Sequence, residues 1–549
     1  MKTNFLLVLL VLILSEHVQS QAPGWEWAKK STDGYQGEGN CIAADASGNI
    51  IVAGAFLSAS MTFGNITLNA VGGGVRNFFI AKYDPTGNVL WAKTAVGNST
   101  FANAISIDGS GNTYVTGSFN GSSLTFDAIT IANAGSYNFF IVKYDVSGNA
   151  LWARSTGGDK VAEGLSIAAD AAGNVYVTGM FTSDSVIFGN TVLTNADTSG
   201  NNFSTDGFIA KYNSTGTALW AIHFGGIGYD YGRAITSATT GEIYVAGSFG
   251  SNSTFQVGSF TMPSAQQQNM FLAKIDLNGN VLWANGAGPA DPRGLAMDPA
   301  QNIYLTGGLS SAASTFGNVS ISSIQSYQES FIVKYDTSGN ALWGTWVGAT
   351  NGFVNVSSIT AGTGAEYVTG YFQGTSITLG NTTLTSPNQG EIFVAGYDDS
   401  GNFIWAVNAV GCCYTIEESR SITTSNAGDI YITGLYDSIS VAFGSNVLDS
   451  MDGYFIAKLS NAAGIQNSVD NTEAFSIFPN PVSTNISLHF PGSHKENAQI
   501  EILNSLGEIV FEKEIILEDQ TLNPPSLQRG IYFVRIKSDK TILTKKIVN

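Results

Sequence analysis

Phe79-Ile-Ala-Lys-Tyr-Asp-Pro-Thr-Gly-Asn-Val-Leu-Trp-Ala92 is the stretch that decides the fold. Its two ends alternate side-chain type with a period of two and are rich in β-branched and aromatic residues, which predicts two strands. Between them, Asp84-Pro-Thr-Gly87-Asn88 can close a tight hairpin, because Asp bonds its own turn backbone and Gly-Asn supplies positive φ. The stretch recurs. Copies of its first half start at Phe140, Phe208, Phe271, Phe331, Phe393 and Phe455. The Trp recurs as Trp27, Trp91, Trp152, Trp220, Trp283, Trp343 and Trp405, at intervals of 60 to 68 residues. A third motif runs in step with both, as Ile51-Val-Ala-Gly54, Tyr114-Val-Thr-Gly117, Tyr176-Val-Thr-Gly179, Tyr244-Val-Ala-Gly247, Tyr304-Leu-Thr-Gly307, Tyr367-Val-Thr-Gly370 and Tyr431-Ile-Thr-Gly434. Three motifs, each present seven times, define an internal repeat.

Each unit reads as four strands: a (Ile42–Asp45), b (Ile50–Ala55), c (Phe79–Asp84) and d (Val89–Ala92) in the first. Asp45-Ala-Ser-Gly48-Asn49 joins a to b. An Asp-x-x-Gly-Asn box also resembles part of a calcium loop, but further carboxylates at loop spacing are missing, so hairpin chemistry is the better reading. Phe63-Gly-Asn-Ile-Thr-Leu68 and its copies predict a small extra hairpin between b and c, which explains the long repeat. Seven four-stranded units fit an all-β, seven-bladed β-propeller. The Trp series begins before the first a strand, and the seventh unit has no d strand of its own. The N-terminal Trp25–Lys29 segment is therefore expected to close the last blade and remove an open edge.

The units resemble the bacterial seven-bladed β-propeller repeat family, through the signatures D-x-x-G-N-x-Y-V-T-G and F-I-A-K-Y-D-x-x-G-N-x-L-W-A over about residues 25–460. The resemblance implies a fold and says little about activity. Asn213 stands in place of Asp, Gly396 in place of Lys, Leu459-Ser460 in place of Tyr-Asp, and blades four and six lack the first-turn Asp.

Outside the repeats, the grammar changes twice. Residues 1–20 carry Lys2, an apolar run from Phe5 to Leu14 and Val18-Gln19-Ser20, the pattern of a secretory signal peptide. The apolar run is too short to span a bilayer comfortably, and no transmembrane segment is expected elsewhere. With the propeller placed at 21–460, residues 461–474 have the composition of a linker. Residues 475–549 read as a small Ig-like β-sandwich. This last domain resembles the type A C-terminal sorting domain of the type IX secretion system, through Pro479-Asn480-Pro481, Asn504-Ser-Leu-Gly507, Leu527-Gln-Arg-Gly530-Ile-Tyr532-Phe-Val534 and Lys545-Lys546-Ile-Val-Asn549. The resemblance implies the type IX machinery as a partner, passage through the periplasm of a Gram-negative bacterium, removal of the domain, and a product on the cell surface or released.

The formal charge is −18, and residues 475–549 contribute none of it, with 8 Lys+Arg against 8 Asp+Glu. An acidic propeller repels nucleic acid and anionic lipid, so neither is an expected partner. Cys41, Cys412 and Cys413 are too few for a disulfide scaffold. Buried thiols, or one bridge from Cys41 to the adjacent pair, are both open. His223 is the sole histidine of the propeller, which argues against a Ser-His-Asp triad or a His-rich metal site. No cofactor, metal site or catalytic residue is expected. Carboxylate-pair hydrolysis needs no His and stays open.

Positions that differ between blades are more informative than those that repeat. The d-to-a connections are read as one face of the propeller, carrying Tyr229, Tyr231, Arg233, Arg293, Trp346, Tyr414 and Arg420 as candidate ligand-binding residues. Aromatics beside Arg suit a glycan or peptide, while local pairing, such as Asp291 with Arg293, is the plainer explanation. Three functions stand: an exported surface binding or adhesion protein, a carboxylate-dependent hydrolase or lyase, and a structural surface-coat protein.

Overall fold

The structure is a computed structural model. It describes residues 22–460, except 33–35, 72–73, 134, 198–203, 251–253, 264–268, 324–328, 350–351, 363, 388–389, 413–416 and 450–452. Beyond these it describes 476–478, 486–489, 497–503, 509–516, 520–522, 531–537 and 542–548. The chain divides into two compact units, Met1–Ala462 and Ala463–Asn549. Among the described residues no helix is long and apolar enough to cross a membrane.

The first unit is a propeller of seven antiparallel four-stranded blades. Blade 1 is Glu38–Ala44, Ile50–Phe56, Asn77–Tyr83 and Val89–Thr94, paired in that order. The same plan repeats through blade 6, which ends on Phe403–Asn408. The innermost strands touch one another around a complete ring. Glu38–Ala44 packs against both Val96–Ile107 of blade 2 and Glu418–Thr424 of blade 7. The last blade takes its outer strand from the other end of the chain, since Trp25–Lys30 pairs with Gly453–Leu459, with Ala28 opposite Ala457.

The outer-strand tryptophans explain why the blades stay in register. Trp27 donates its indole N–H to the Pro85 carbonyl of blade 1 at 3.2 Å. Trp91, Trp152, Trp220, Trp283 and Trp343 make the same bond to the c–d turn of the next blade, at 2.9–3.3 Å. The Gly of each such turn lies under the indole. Gly148, at φ 82°, would drive a Cβ into the Trp91 ring, so both the turn geometry and the stacking require Gly there. Asp45 accepts the backbone N–H groups of Ser47 and Asn49 and the Asn49 amide, all at 2.9 Å. Its oxygens serve the hairpin. The extra b–c hairpins form in every blade, for example Ser60–Phe63 with Ile66–Asn69. Several pair with the incoming d-to-a connection, as at Thr32–Thr62, Gly157–Ile187 and Val410–Ala442. Hairpins and connections therefore build the same face.

In the second unit, Ile509–Ile516, Asn497–Leu503, Ile531–Lys537 and Ile542–Val548 form one sheet, and Ser476–Phe478, Ile486–His489 and Gln520–Leu522 another. The two sheets share one core, including Ile486, Leu522, Ile500 and Val534.

Candidate functional site: the central channel

Every innermost strand carries a β-bulge at the same register. The pairing slips between Gly39 and Cys41, Ala102 and Ala104, Gly164 and Ser166, Gly232 and Ala234, Pro292 and Gly294, Val356 and Ser358, and Ser419 and Ser421. A bulge leaves one residue without a ladder partner and re-aims its side chain. The bulged residues are Asn40, Asn103, Leu165, Arg233, Arg293, Ser357 and Arg420, so the position that a perfect sevenfold ring would repeat differs from blade to blade. All seven line one axial cavity of about 230 Å³.

Several of these side chains fasten neighbouring blades together. Asn40 donates to the Ala102 carbonyl at 3.0 Å, and Asn103 donates to that of Gly164 at 2.9 Å. Arg293 donates to the Val356 carbonyl at 3.2 Å and to Asn355 Oδ1 at 2.6 Å. Arg420 donates to Glu38 Oε2 at 2.7 Å and to Asn40 Oδ1 at 2.6 Å, and Arg76 pairs with the same Glu38. Arg233 differs. Its Nε reaches Ser248 Oγ at 3.4 Å and lies 3.7 Å from Asp291 Oδ1, and its head sits 4.4 Å from the centre of the Tyr231 ring. Its two terminal nitrogens bond no protein atom among the described residues. Burial pulls the Arg293 guanidinium below its ordinary range, with Asp291 opposing and the Arg233 charge adding to the depression.

The sequence-based candidates thus separate. Arg233, Arg293 and Arg420 meet at the channel, but they lie on the innermost strands rather than in the d-to-a connections, because each strand begins about four residues earlier than its aliphatic pattern indicates. Tyr231 is on the same strand as Arg233 and stacks with it. Tyr229 precedes that strand and is 52% exposed. Trp346 is inside the outer strand Ala341–Val347, bonded to Glu329 Oε2 at 2.6 Å, and does not line the channel. Tyr414 lies outside the described residues, as does Cys413. Cys41 is a buried, unbridged thiol, and Cys412 is exposed. The partners missed in the sequence are Asn40, Asn103 and Glu38. The position two before the strand aliphatic, which singled out the arginines, locates both asparagines when it is applied to every blade.

Two acids where d-to-a connections meet the innermost strands are buried. Asp230 is fully buried beside Asp206, and Glu417 occupies the equivalent place beside Glu391. His223, on the outer strand Ala218–Gly225, lines a separate cleft of about 670 Å³ against Gln256 and Gly258 of blade 4, and burial lowers its pKa. Among the described residues, no three His, Cys, Asp or Glu side chains gather as metal ligands would.

Residues 476–549 match the family described as the secretion system C-terminal sorting domain. The chain carries a type IX sorting domain. Such a domain directs its carrier through the type IX secretion machinery to the outer cell surface or beyond it. Within the sorting domain, Tyr532 is buried on Ile531–Lys537, and Lys545 and Lys546 lie on the last strand. Pro479, Asn480, Pro481, Gly507 and Gly530 are outside the described residues.

The chain is 26% identical over 507 residues to an uncharacterized WD repeat-containing protein of Acanthamoeba polyphaga mimivirus, covering 76% of this chain and 36% of that one. It is 31% identical over 146 residues to the regulatory protein FlaEY of Caulobacter vibrioides, covering 27% of this chain and 15% of that one. The chain thus spans about a third of the first relative's length and less of the second's. Among solved structures it is similar to the Dos1 propeller, at 11% identity and TM-score 0.36, covering 80% of this chain and 96% of that one. It is also similar to a puromycin hydrolase, at 10% identity and TM-score 0.31, covering 73% and 58%. At these scores the fold rests on the strand pairing itself.

Proposed function

We propose that the exported propeller is a binding protein, taking an extracellular glycan, peptide or other macromolecule at the mouth of its central channel. The observation that carries this reading is where the blades differ. The framework is constant around the ring, while the bulge position holds Asn, Asn, Leu, Arg, Arg, Ser and Arg in order. A sevenfold-identical surface offers only repeated weak contacts, so specificity requires a place where the repeat is broken. Tyr231 adds a flat apolar face with a polar tip beside that place. The address supports an external ligand, and the leader pattern at 1–20 fits entry to the periplasm by the Sec route before the type IX step.

The hydrolase reading is weaker. Two of its carboxylate pairs, Asp206 with Asp230 and Glu391 with Glu417, are fully buried, so substrate cannot reach them. The test is a glycan and peptide array probed with the purified protein and with an Arg233→Ala, Tyr231→Ala double variant. Hits should disappear in the variant while its melting temperature stays within a degree or two. An array with no hits would favour the structural-coat reading, and hits that survive in a folded variant would move the site away from the channel.

A further inference from the structure

We infer that the channel recognises an acidic sugar at the end of a glycan, with the Arg233 guanidinium receiving the sugar's carboxylate or sulfate; this rests on the binding reading above. The first support is an unmet hydrogen-bonding demand. Arg233 presents a fork of donors matched to an oxyanion. Yet its only hydrogen bond and ion pair among the described residues are long ones through Nε, to Ser248 and Asp291. The Tyr231 ring lies against the face of the guanidinium and leaves its terminal edge open. A planar cation stacked on an aromatic ring is held in orientation before any ligand arrives, so less rotamer freedom is lost on binding.

The second support is electrostatic. Arg233 and Arg293 come from adjacent blades and are close enough for each charge to act on the other. Arg293 is anchored on Asn355 and Val356, so it cannot retreat. Asp291 lies between the two and offsets one charge of the pair. Glu163 also faces Arg233, and its interaction with that cation opposes the upward pull of burial on its carboxyl. What is left for a visiting anion is the open terminal edge of Arg233, on a chain whose formal charge is −18. The unfilled donors of Arg233 are the feature that local pairing does not explain. At Arg420, by contrast, Glu38 and Glu418 already satisfy the cation.

Size and lining narrow the class. A cavity of about 230 Å³ admits one sugar-sized group and no folded element. Around the arginines it is lined by Asn40, Asn103, Ser166, Ser357, Ser358 and Ser421, amides and hydroxyls that complement sugar hydroxyls. A peptide terminus would bring an apolar side chain to this hydroxyl-rich wall, which favours the sugar.

The experiment is calorimetric titration of the purified protein with three probes: a tetrasaccharide ending in a uronic acid, the same tetrasaccharide with that carboxyl reduced to the alcohol, and its terminally sulfated counterpart. The acidic forms should bind at least tenfold more tightly than the reduced one, and carboxylate against sulfate identifies the anion. Arg233→Gln should remove the preference without lowering the melting temperature, and Arg233→Lys should keep part of it. Equal binding of acidic and reduced probes, or an unchanged preference in Arg233→Gln, would overturn the inference while leaving the binding reading intact. Binding of a free dipeptide carboxylate in place of the sugars would also overturn it. Failure of all these probes together with an empty array would bring down both.

Discussion

Asp206→Asn should make the protein more stable at pH 8 and leave it almost unchanged at pH 4. At the start of the third strand, or one residue to either side of it, six blades carry a polar residue: Asn77, Asn138, Asp206, Asn269, Glu329 and Glu391. Where it is Asn, both halves of the amide can be used. Asn77 accepts from the Val71 N–H at 2.9 Å and donates to the Val75 carbonyl at 2.8 Å. Asp206 accepts from the Ala196 N–H at 2.7 Å through Oδ2, while its buried Oδ1 has no hydrogen-bond partner. Burial, with the neighbouring Asp230 adding to it, raises its pKa to about 7. Glu391 is likewise raised to about 7 by burial, with Glu417 adding. Because the folded pKa exceeds the unfolded one, the native state keeps a proton that the unfolded chain has lost. Stability therefore falls as pH rises from about 4 to about 7, by about 1.4 kcal/mol per unit for each such group at most, and is level above that. The Asp45 and Asp84 carboxyls are held low by their own turns, Asp84 at about 2, so they contribute stability that is lost only as pH falls below about 4. The two families act in separate pH windows. Asn at position 206 can still accept from Ala196 and can also donate toward Asp230, so the variant should gain roughly 2–4 kcal/mol at pH 8. Thermal melts of wild type and variant between pH 4 and 9 measure it. Parallel curves across that range would refute the buried-proton account.

Trp27→Ala should lower the melting temperature as much as Trp283→Ala, because both indoles bond the next blade's turn and lie 6.0 Å from a buried Tyr ring; each loss is roughly 3 kcal/mol. A silent Trp27→Ala would contradict closure by the N-terminal strand. Deleting residues 475–549 should leave a folded propeller in the periplasm, since every blade is completed within Trp25–Leu459. Protease accessibility on intact cells checks this, and surface exposure of the truncated chain would overturn the sorting assignment.

The fold was legible because its determinants are local and repeated. Alternation, Gly-Asn turns and the Trp series place strands b, c and d without any knowledge of neighbours, and the count of Trp27 against Phe455 exposes the closure. Strand a was legible only in its apolar half. Its first residues face the channel or a neighbouring blade, so Arg233 and Glu38 look like loop residues in the sequence. The burial of Asp230 and Glu417 was hidden for the same reason. Each lies against the third strand of the preceding blade, and nothing in its own segment records that contact. Trp346 was misplaced because the outer strand of blade 5 runs on to Val347, where a connection was expected.

Differences between blades can be compensated or uncompensated, and the distinction separates scaffold from site. Lys82 pairs with Asp45 and Lys143 with Asp108, each cation meeting the first-turn Asp of its own blade, and in blade 7, where Ser425 takes the place of that Asp, Lys458 pairs with Asp429 at the end of the same turn. In blade 4 that Asp is absent, and Lys274 lies 3.4 Å from Glu242 in the same turn instead. In blade 6 the Asp and the Lys are both absent. Gly396 opposes Trp405, whose indole occupies the space over the glycine and is only 2% exposed. Charge and volume are conserved together, as packing requires, so these lysines are counter-ions of the turns. Arg293 and Arg420 partly follow the same rule, since they replace the inter-blade bonds that Asn40 and Asn103 make. Arg233 does not. It adds a charge that Asp291 must share with Arg293 and makes no bond to the following bulge. A residue that costs electrostatic repulsion and is fastened only by a long, shared ion pair is the place on this ring where a ligand has most to supply.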